Sequence, residues 1–393
     1  MSRLLWVSLA IGAAAVGYWL WPAAEDSPPV RSSPVNVSDL LRGDNSAGYA
    51  RATAPRPFSF PKDHGPHDDF RQEWWYYTGN LTSAEGRHFG YQLTFFRYAL
   101  APQPVRRGSA WATRQIYLVH FAVTDVRAGR FYSEERTSRA ALGLAGAGAV
   151  PFKVWVEDWI AQGEGAQGLP VHVHAAGDAM AIDLHLNSTK PAVPQGDDGL
   201  SQKGEAPGNA SYYYSLTRLS TQGSVRIGQE TFAVQGLSWM DHEWSTSILE
   251  PEQSGWDWFA LQFSDRRELM FYRLRRKDGS TDAHSRGVIV DNRGGIHALP
   301  ASLQITATAD WTSPHSGVRY PAAWRLNDTA EGLSLTVTPY LADQELNHRF
   351  RYWEGAVRAA GLIGGQAVRG EGYVELVGYR GSTAAGHDTQ ERN

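Results

Sequence analysis

The sequence predicts an all-β protein built from two antiparallel β-barrels in tandem, and three observations carry that prediction. Runs of period-2 alternation recur along the chain, as in EWWYYTGNL, QIYLVHFAVTDV, KVWVEDWIA, YYYSLTRL and ELMFYRLRR. They are short, rich in β-branched and aromatic residues, and bounded by Gly, Asp, Asn and Ser, the pattern of half-buried strands joined by hairpins. No stretch sustains a helical stripe, and 40 glycines supply the turns and bends that closed sheets need.

The elements follow in chain order. Arg3 precedes a charge-free run over residues 4–23. A positive end followed by such a run is an export address, and its length suits the ~20 residues of a membrane span. Trp21 and Pro22 stand where a cleavage site wants small residues. Residues 1–24 are therefore read as a signal anchor in preference to a removed signal peptide. Arg3 stays in the cytoplasm and the rest of the chain lies in the periplasm, cleaved free or tethered to the inner membrane. Residues 25–58, dominated by Pro, Ser and Ala, read as a flexible linker. Residues 59–245 form the expected first barrel domain and 246–380 the second, with a disordered tail over 381–393. Within the first, 141–150 reads as a flexible connector and 187–209 as a long mobile insertion near a barrel mouth.

A weak internal repeat supports the tandem arrangement. The hairpin of Trp74-Trp75-Tyr76-Tyr77 returns through a strand ending in Arg97. The hairpin of Trp256-Asp257-Trp258-Phe259 returns through one ending in Arg273. The seam falls near 246–255, beside Trp239-Met240-Asp241-His242-Glu243-Trp244, and binding sites favour such junctions.

Composition excludes several classes. There is no Cys, so disulfides, thiol catalysis and cysteine-based zinc sites are ruled out. The formal net charge of −4 with no basic block argues against a nucleic-acid partner. No phosphate-binding glycine loop and no Gly-x-Ser-x-Gly elbow occur. Fifteen Trp and 17 Tyr point to lined cavities as well as core.

Acids set among aromatics are the chemical signal. In an extended segment Glu73, Trp75 and Tyr77 share a face. A carboxyl inside an aromatic wall, away from water, has a raised pKa and stays protonated, as proton donation to an alkene requires. The plain alternative is pairing of Glu73 with Arg97. Met240, His242 and Trp244 share one face of their segment, and Trp239, Asp241 and Glu243 the other. His242 is read as a ligand-lining or catalytic histidine, or else as an ordinary buried one. Asp241, His242 and Glu73 are the catalytic candidates. Trp75, Tyr77, Tyr214, Trp244, Trp256 and Trp258 are the ligand-lining ones. Glu73, Trp75, Asp241, His242, Trp244 and Trp258 are expected around one cavity. Alternation sets Asp257 on the face opposite Trp256 and Trp258. His172 and His174 with His185, and His64 and His67 with Asp68, are weak metal candidates lacking a third ligand at a convincing spacing; no metal or other cofactor is assigned.

Several motifs occur in order: Glu73-Trp74-Trp75-Tyr76, Tyr213-Tyr214-Ser215-Leu216-Thr217-Arg218-Leu219, Trp239-Met240-Asp241-His242-Glu243-Trp244, Gly255-Trp256-Asp257-Trp258-Phe259, Tyr352-Trp353-Glu354-Gly355 and Gly372-Tyr373-Val374-Glu375-Leu376. Together they resemble the carotenoid 1,2-hydratase-like family, also called AttH-like, over about residues 60–380. The resemblance implies export, two lipocalin-like barrels and an apolar ligand. One branch of that family adds water to a terminal double bond of an acyclic carotenoid. Another is known as predicted secreted hydrolases or companions of export permeases, and the Met-Asp-His-Glu-Trp pattern looks closer to it. Two expectations follow. The first is an exported module binding a lipid- or isoprenoid-like molecule, serving as accessory to an inner-membrane transporter. The second is a hydro-lyase acting on an apolar polyene.

Overall fold

The computed structural model of the chain describes residues 35–36, 46–103, 108–246 and 249–380. The expected anchor, most of the linker and the tail over 381–393 lie outside the described residues. Among the described residues a single 3-10 turn, Lys62–His64, interrupts an otherwise all-β protein.

The strands, in chain order, are β1 (Val35–Asn36), β2 (Gln72–Ser83), β3 (His88–Ala99), β4 (Gln115–Asp125), β5 (Arg130–Arg139), β6 (Ala145–Ala149), β7 (Phe152–Val156), β8 (Trp159–Gly163), β9 (Val171–Ala176), β10 (Met180–Ser188), β11 (Val193–Pro194), β12 (Leu200–Gln202), β13 (Ala210–Ile227) and β14 (Glu230–Ser245). They continue with β15 (Gln253–Phe263), β16 (Glu268–Arg276), β17 (Arg286–Val290), β18 (Ile296–Leu299), β19 (Gln304–Thr312), β20 (Arg319–Asp328), β21 (Leu333–Pro339), β22 (Glu345–Asn347), β23 (Phe350–Ile363) and β24 (Gln366–Val377).

Two sheets result. The first runs β5-β4-β3-β2-β14-β13-β10-β9-β8-β7-β6, with β11 and β12 added against β13. Its ends curl back so that β6 and β7 pack near β4 and β5, nearly closing a barrel. The second runs β18-β17-β16-β15-β24-β23-β21-β20-β19. The chain changes sheet between Ser245 and Gln253. Apart from β1, which lies parallel to β23, every pairing is antiparallel.

The repeat seen in the sequence is a repeat of pairing. β2 is flanked by β3 and β14, and β15 by β16 and β24. Glu73 stands opposite Arg97 in the first hairpin, and Asp257 opposite Arg273 in the second. Alternation then sorts the side chains. Trp75, Tyr77, Tyr214, Met240 and Trp244 enter the core of the first barrel. Phe259, Leu261, Trp353, Val374 and Leu376 enter that of the second sheet. Tyr76, Tyr213, Trp239, Trp258, Ala260 and Tyr373 form a third apolar cluster between the two sheets.

At this junction the backbones come close. A Cβ on Gly90 of β3 would lie 2.6 Å from the Ala356 Cβ on β23 and 2.7 Å from the Tyr373 hydroxyl, so a side chain there is excluded. Asn80 Nδ2 donates to the Gly372 carbonyl (3.0 Å), and Gln262 Nε2 to those of Thr217 (2.7 Å) and Ser238 (2.9 Å).

Three sequence expectations need correction. Residues 46–58, assigned to a flexible linker, are packed. Ala52 is fully buried, Phe58 packs on Tyr214 and Trp244, and Tyr212 donates to the Ala54 carbonyl. Residues 187–209 are a clasp rather than a mobile insertion. β11 and β12 pair with β13, and Lys190 bonds Glu268 across the junction at 2.7 Å. The connector at 141–150 contains β6. In these segments Gly, Pro and small polar residues hid packing (46–58) and strand pairing (141–150 and 187–209) that only partner segments supply.

Candidate functional site

Within the first barrel the acids and histidines form a closed network. Arg97 donates from Nε to Glu73 Oε2 (2.8 Å), with its other nitrogens on Gln115 (2.9 Å) and the His67 (2.9 Å) and Phe70 (3.1 Å) carbonyls. Glu73 Oε1 lies 2.7 Å from His67 Nδ1 and 2.9 Å from His242 Nε2. His67 Nε2 meets Asp63 at 3.1 Å, and His242 Nδ1 the Asp63 carbonyl at 2.9 Å. Rings close over this set, with His67 stacked on Trp244 at 3.7 Å and Trp75 on His242 at 4.9 Å. Burial opposes ionisation of Glu73, but Arg97 and His67 outweigh it and hold the carboxylate well below its usual range. Burial depresses His242 in turn, against the pull of Glu73. Glu73 is thus an ion-pair partner and not a protonated acid, which overturns the proton-donor expectation for it.

The opposite faces of the same strands line a different space. A narrow cleft between the sheets encloses a cavity of about 80 Å³. Its wall is aromatic, with Trp74, Tyr76, Phe96, Tyr213, Trp256 and Trp258 among the lining residues. Into this wall are set Asp241, Glu243 and Glu375. Asp241 accepts from Tyr213 (2.6 Å), Ser215 (2.5 Å) and Trp239 Nε1 (2.7 Å). Burial outweighs these bonds and pushes its carboxyl up to about 7. Glu375 is densely surrounded yet keeps accessible surface within the cleft. Burial raises it to about 7 too, against a 2.9 Å bond from Trp256 Nε1 to its Oε2.

Directly across the β23–β24 pairing from Glu375 stands Glu354, fully enclosed, with neither carboxyl oxygen in a hydrogen bond of regular geometry. Burial, reinforced by Glu375, drives it well above the ordinary carboxylate range, although the Tyr76 and Tyr352 hydroxyls are near enough to oppose this. Glu243 instead meets Lys203 at 3.1 Å and accepts from Ser211. Burial disfavours the Lys203 charge, but Glu243 reverses this and keeps the ammonium. Behind the wall the Tyr352 hydroxyl lies 2.7 Å from His120 Nδ1, whose Nε2 is 3.0 Å from Glu135, and the Glu135 side chain retains 15% exposure. The cleft therefore combines an apolar wall, carboxyls that hold protons near neutrality, one ion pair, and a polar chain leading outwards.

The profile of the AttH-like family matches residues 51–379. The chain belongs to the AttH-like family. A crystal structure of an AttH from Nitrosomonas europaea agrees: it is 32% identical, covers 84% of this chain and 99% of its own, and superposes with a TM-score of 0.76. Two more distant structures share the AttH-like fold. Kievitone hydratase from Nectria haematococca is 18% identical, with a TM-score of 0.66 over 85% of this chain and 97% of its own. CghA is 14% identical, with a TM-score of 0.54 over 86% and 96%. No curated protein matches the chain.

The candidates named from the AttH-like sequence thus divide between two places, and the single-cavity expectation gives way. Glu73, Trp75, Tyr77, Tyr214, His242 and Trp244 have no accessible surface and belong to the barrel core. Asp241, Trp256 and Trp258 line the cleft. One residue along a strand reverses the face, so Asp241 and His242 cannot share a cavity. Asp257 meets Arg273 and Arg275 on the far face, as alternation requires. Sequence reasoning passed over Glu354, Glu375, Lys203 and Tyr76. Both glutamates sit in quoted motifs with the acid-among-aromatics pattern that singled out Glu73, and that signal was available. The His67–Glu73–His242 trio has metal-ligand spacing, but Arg97, Asp63 and the Asp63 carbonyl already engage its polar atoms, a poor fit for a cation. Asp68 is turned to Gln115 and does not join it.

Proposed function

We propose that this AttH-like protein binds a largely apolar, unsaturated small molecule, lipid- or isoprenoid-like, in the cleft between its sheets. There it acts as a hydro-lyase, adding water across a C=C bond. The observation that carries this reading is Glu375: a carboxyl raised to about 7, lining an aromatic cleft, with only its Oε2 engaged. A carrier of apolar molecules needs the aromatic wall and gains nothing from protonated acids within it.

In this reading the Glu375 carboxyl gives its proton to one alkene carbon. The cation left on the other carbon faces the rings of Trp74, Trp258 and Tyr213, whose π-faces stabilise positive charge. Water adds to that carbon, and its surplus proton returns to the Glu375 carboxylate. Alkene and water become alcohol, and the acid is regenerated. Burial favours the protonated donor, and the neighbouring Glu243 and Asp241 carboxyls add to this by disfavouring a further negative charge. The polar chain Glu135–His120–Tyr352 provides a route for proton exchange with solvent. That the Nectria haematococca neighbour is a hydratase supports the class of reaction. The export address over 1–24 supports a periplasmic, tethered protein, where an inner-membrane transporter is a natural partner.

The test is incubation of the full chain with acyclic isoprenoids in ¹⁸O-labelled water, followed by mass spectrometry of bound and released species. The expected result is label incorporated into an alcohol by the wild type and none by Glu375→Gln, with ligand retained by both. Ligand retained without conversion by the wild type would leave only the carrier reading.

A further inference from the structure

The outer wall of the first barrel carries a second group of chemistry-bearing side chains, none of which lines the cleft. β9 presents His172 and His174 on its outward face, and β10 presents Asp183 and His185. The antiparallel register sets His172 opposite His185 and His174 opposite Asp183, so all four share one patch of a two-stranded ribbon. Asp183 reaches both partners, with Oδ1 3.1 Å from His172 Nε2 and Oδ2 3.1 Å from His174 Nδ1. The His172 and His185 rings stack at 4.8 Å, and His185 Nδ1 lies 3.1 Å from Glu164.

We propose that His172, Asp183 and His185, with His174 beside them, form a binding site for one divalent transition-metal ion of the zinc or copper(II) class. Imidazole and carboxylate are the donors such ions take. The candidate ligand atoms of His172, Asp183 and His185 lie within 4.8 Å of one another. An ion with bonds of ~2.0–2.2 Å holds its ligand atoms no more than about 4.4 Å apart, so small side-chain rotations close the set. The side chains have room to make them, being 26–50% exposed. The backbone does not need to move, because β8 and β13 pair on either side of the ribbon. Nor does a cation compete. The flanking residues in the same rows are Ile160 and Gln162 on β8, and Gln222 and Ser224 on β13. A surface ion pair alone does not account for the arrangement. Such a pair is worth about 0–1 kcal/mol and needs one histidine, whereas three converge here. The sequence showed the His-x-His pair, and the β10 register supplies the missing carboxylate.

The test is isothermal titration of the full chain with zinc chloride at neutral pH, paired with melting curves with and without zinc. One equivalent should bind, and zinc should raise the melting temperature of the wild type. Asp183→Asn and His185→Gln should weaken binding on the order of 10- to 100-fold or more and lose the zinc-dependent rise, while His315→Gln, at another exposed histidine, should change neither. These side chains are partly exposed, so the variants should melt close to the wild type without zinc. No binding, several weak equivalents, or one equivalent unchanged in Asp183→Asn and His185→Gln would each overturn the proposal.

Discussion

At the scale of single residues, environment separates four carboxyls that look alike in sequence. Glu73 is buried beside Arg97 and stays ionised, whereas Asp241, Glu354 and Glu375 have no paired cation and are raised above the ordinary carboxylate range. Glu375→Gln should lower turnover by a factor on the order of 100 or more, as for loss of a positioned acid, with little change in ligand affinity. Turnover in the wild type should decline as pH rises through about 7, where Glu375 and Asp241 lose their protons. Stability carries the same signature. A carboxyl whose folded pKa is raised keeps in the fold a proton that the unfolded chain releases from about pH 4 upward. Its contribution is therefore full below pH 4 and lost as pH rises towards 7. Asp241→Asn should flatten that part of the stability–pH curve, and an unchanged slope would show that Asp241 is ionised in the fold. Glu73 runs the other way: its depressed pKa contributes stability above the usual carboxylate range that is lost as pH falls.

At the scale of elements, the Glu73–Arg97 pair ties β2 to β3 while His242 ties β14 to the turn at Lys62–His64. Both charges of the pair are fully buried. Arg97→Met leaves Glu73 without its cation and should cost about 3–5 kcal/mol in chemical denaturation, far more than an exposed arginine would. His242→Ala should lower the melting temperature while the folded fraction keeps its activity, because His242 does not reach the cleft. A loss of turnover in fully folded His242→Ala would place chemistry inside the barrel after all. The clasp over 187–209 is paired to β13, so limited proteolysis should leave it intact as long as the fold persists. Cleavage there before loss of the native circular dichroism signal would mean that this pairing opens readily.

At the scale of the whole molecule, the cleft exists because two sheets meet with their aromatic faces together. The approach of β3 to β23 at Gly90 fixes their separation. Gly90→Val would insert a branched side chain where even a Cβ has no room. It should destabilise the protein by about 1–3 kcal/mol, the cost of overpacking, and weaken ligand binding by spreading the cleft. Melting and ligand titration of the same preparation check both outcomes. Unchanged affinity in a destabilised variant would show that the cleft geometry does not depend on this contact.

The sequence by itself determined the all-β class, the repeated aromatic hairpin, most of the longer strands and which of their side chains share a face, because these depend on a period of two that each strand carries within itself. It also marked acids among aromatics as the chemistry to watch. Only the tertiary structure decided which acid keeps its proton. That depends on whether a cation from another strand, such as Arg97 opposite Glu73, reaches the carboxyl, and on which face of β14 meets the second sheet. Asp241 and His242 are neighbours in sequence and lie on opposite sides of one strand, the first in a cleft and the second in a core. The clasp at 187–209, the packed segment at 46–58 and the carboxylate completing the His172–His185 group were hidden for the same reason. Each is built by partners far away in the chain, and alternation within a segment carries no record of the strand that will lie beside it.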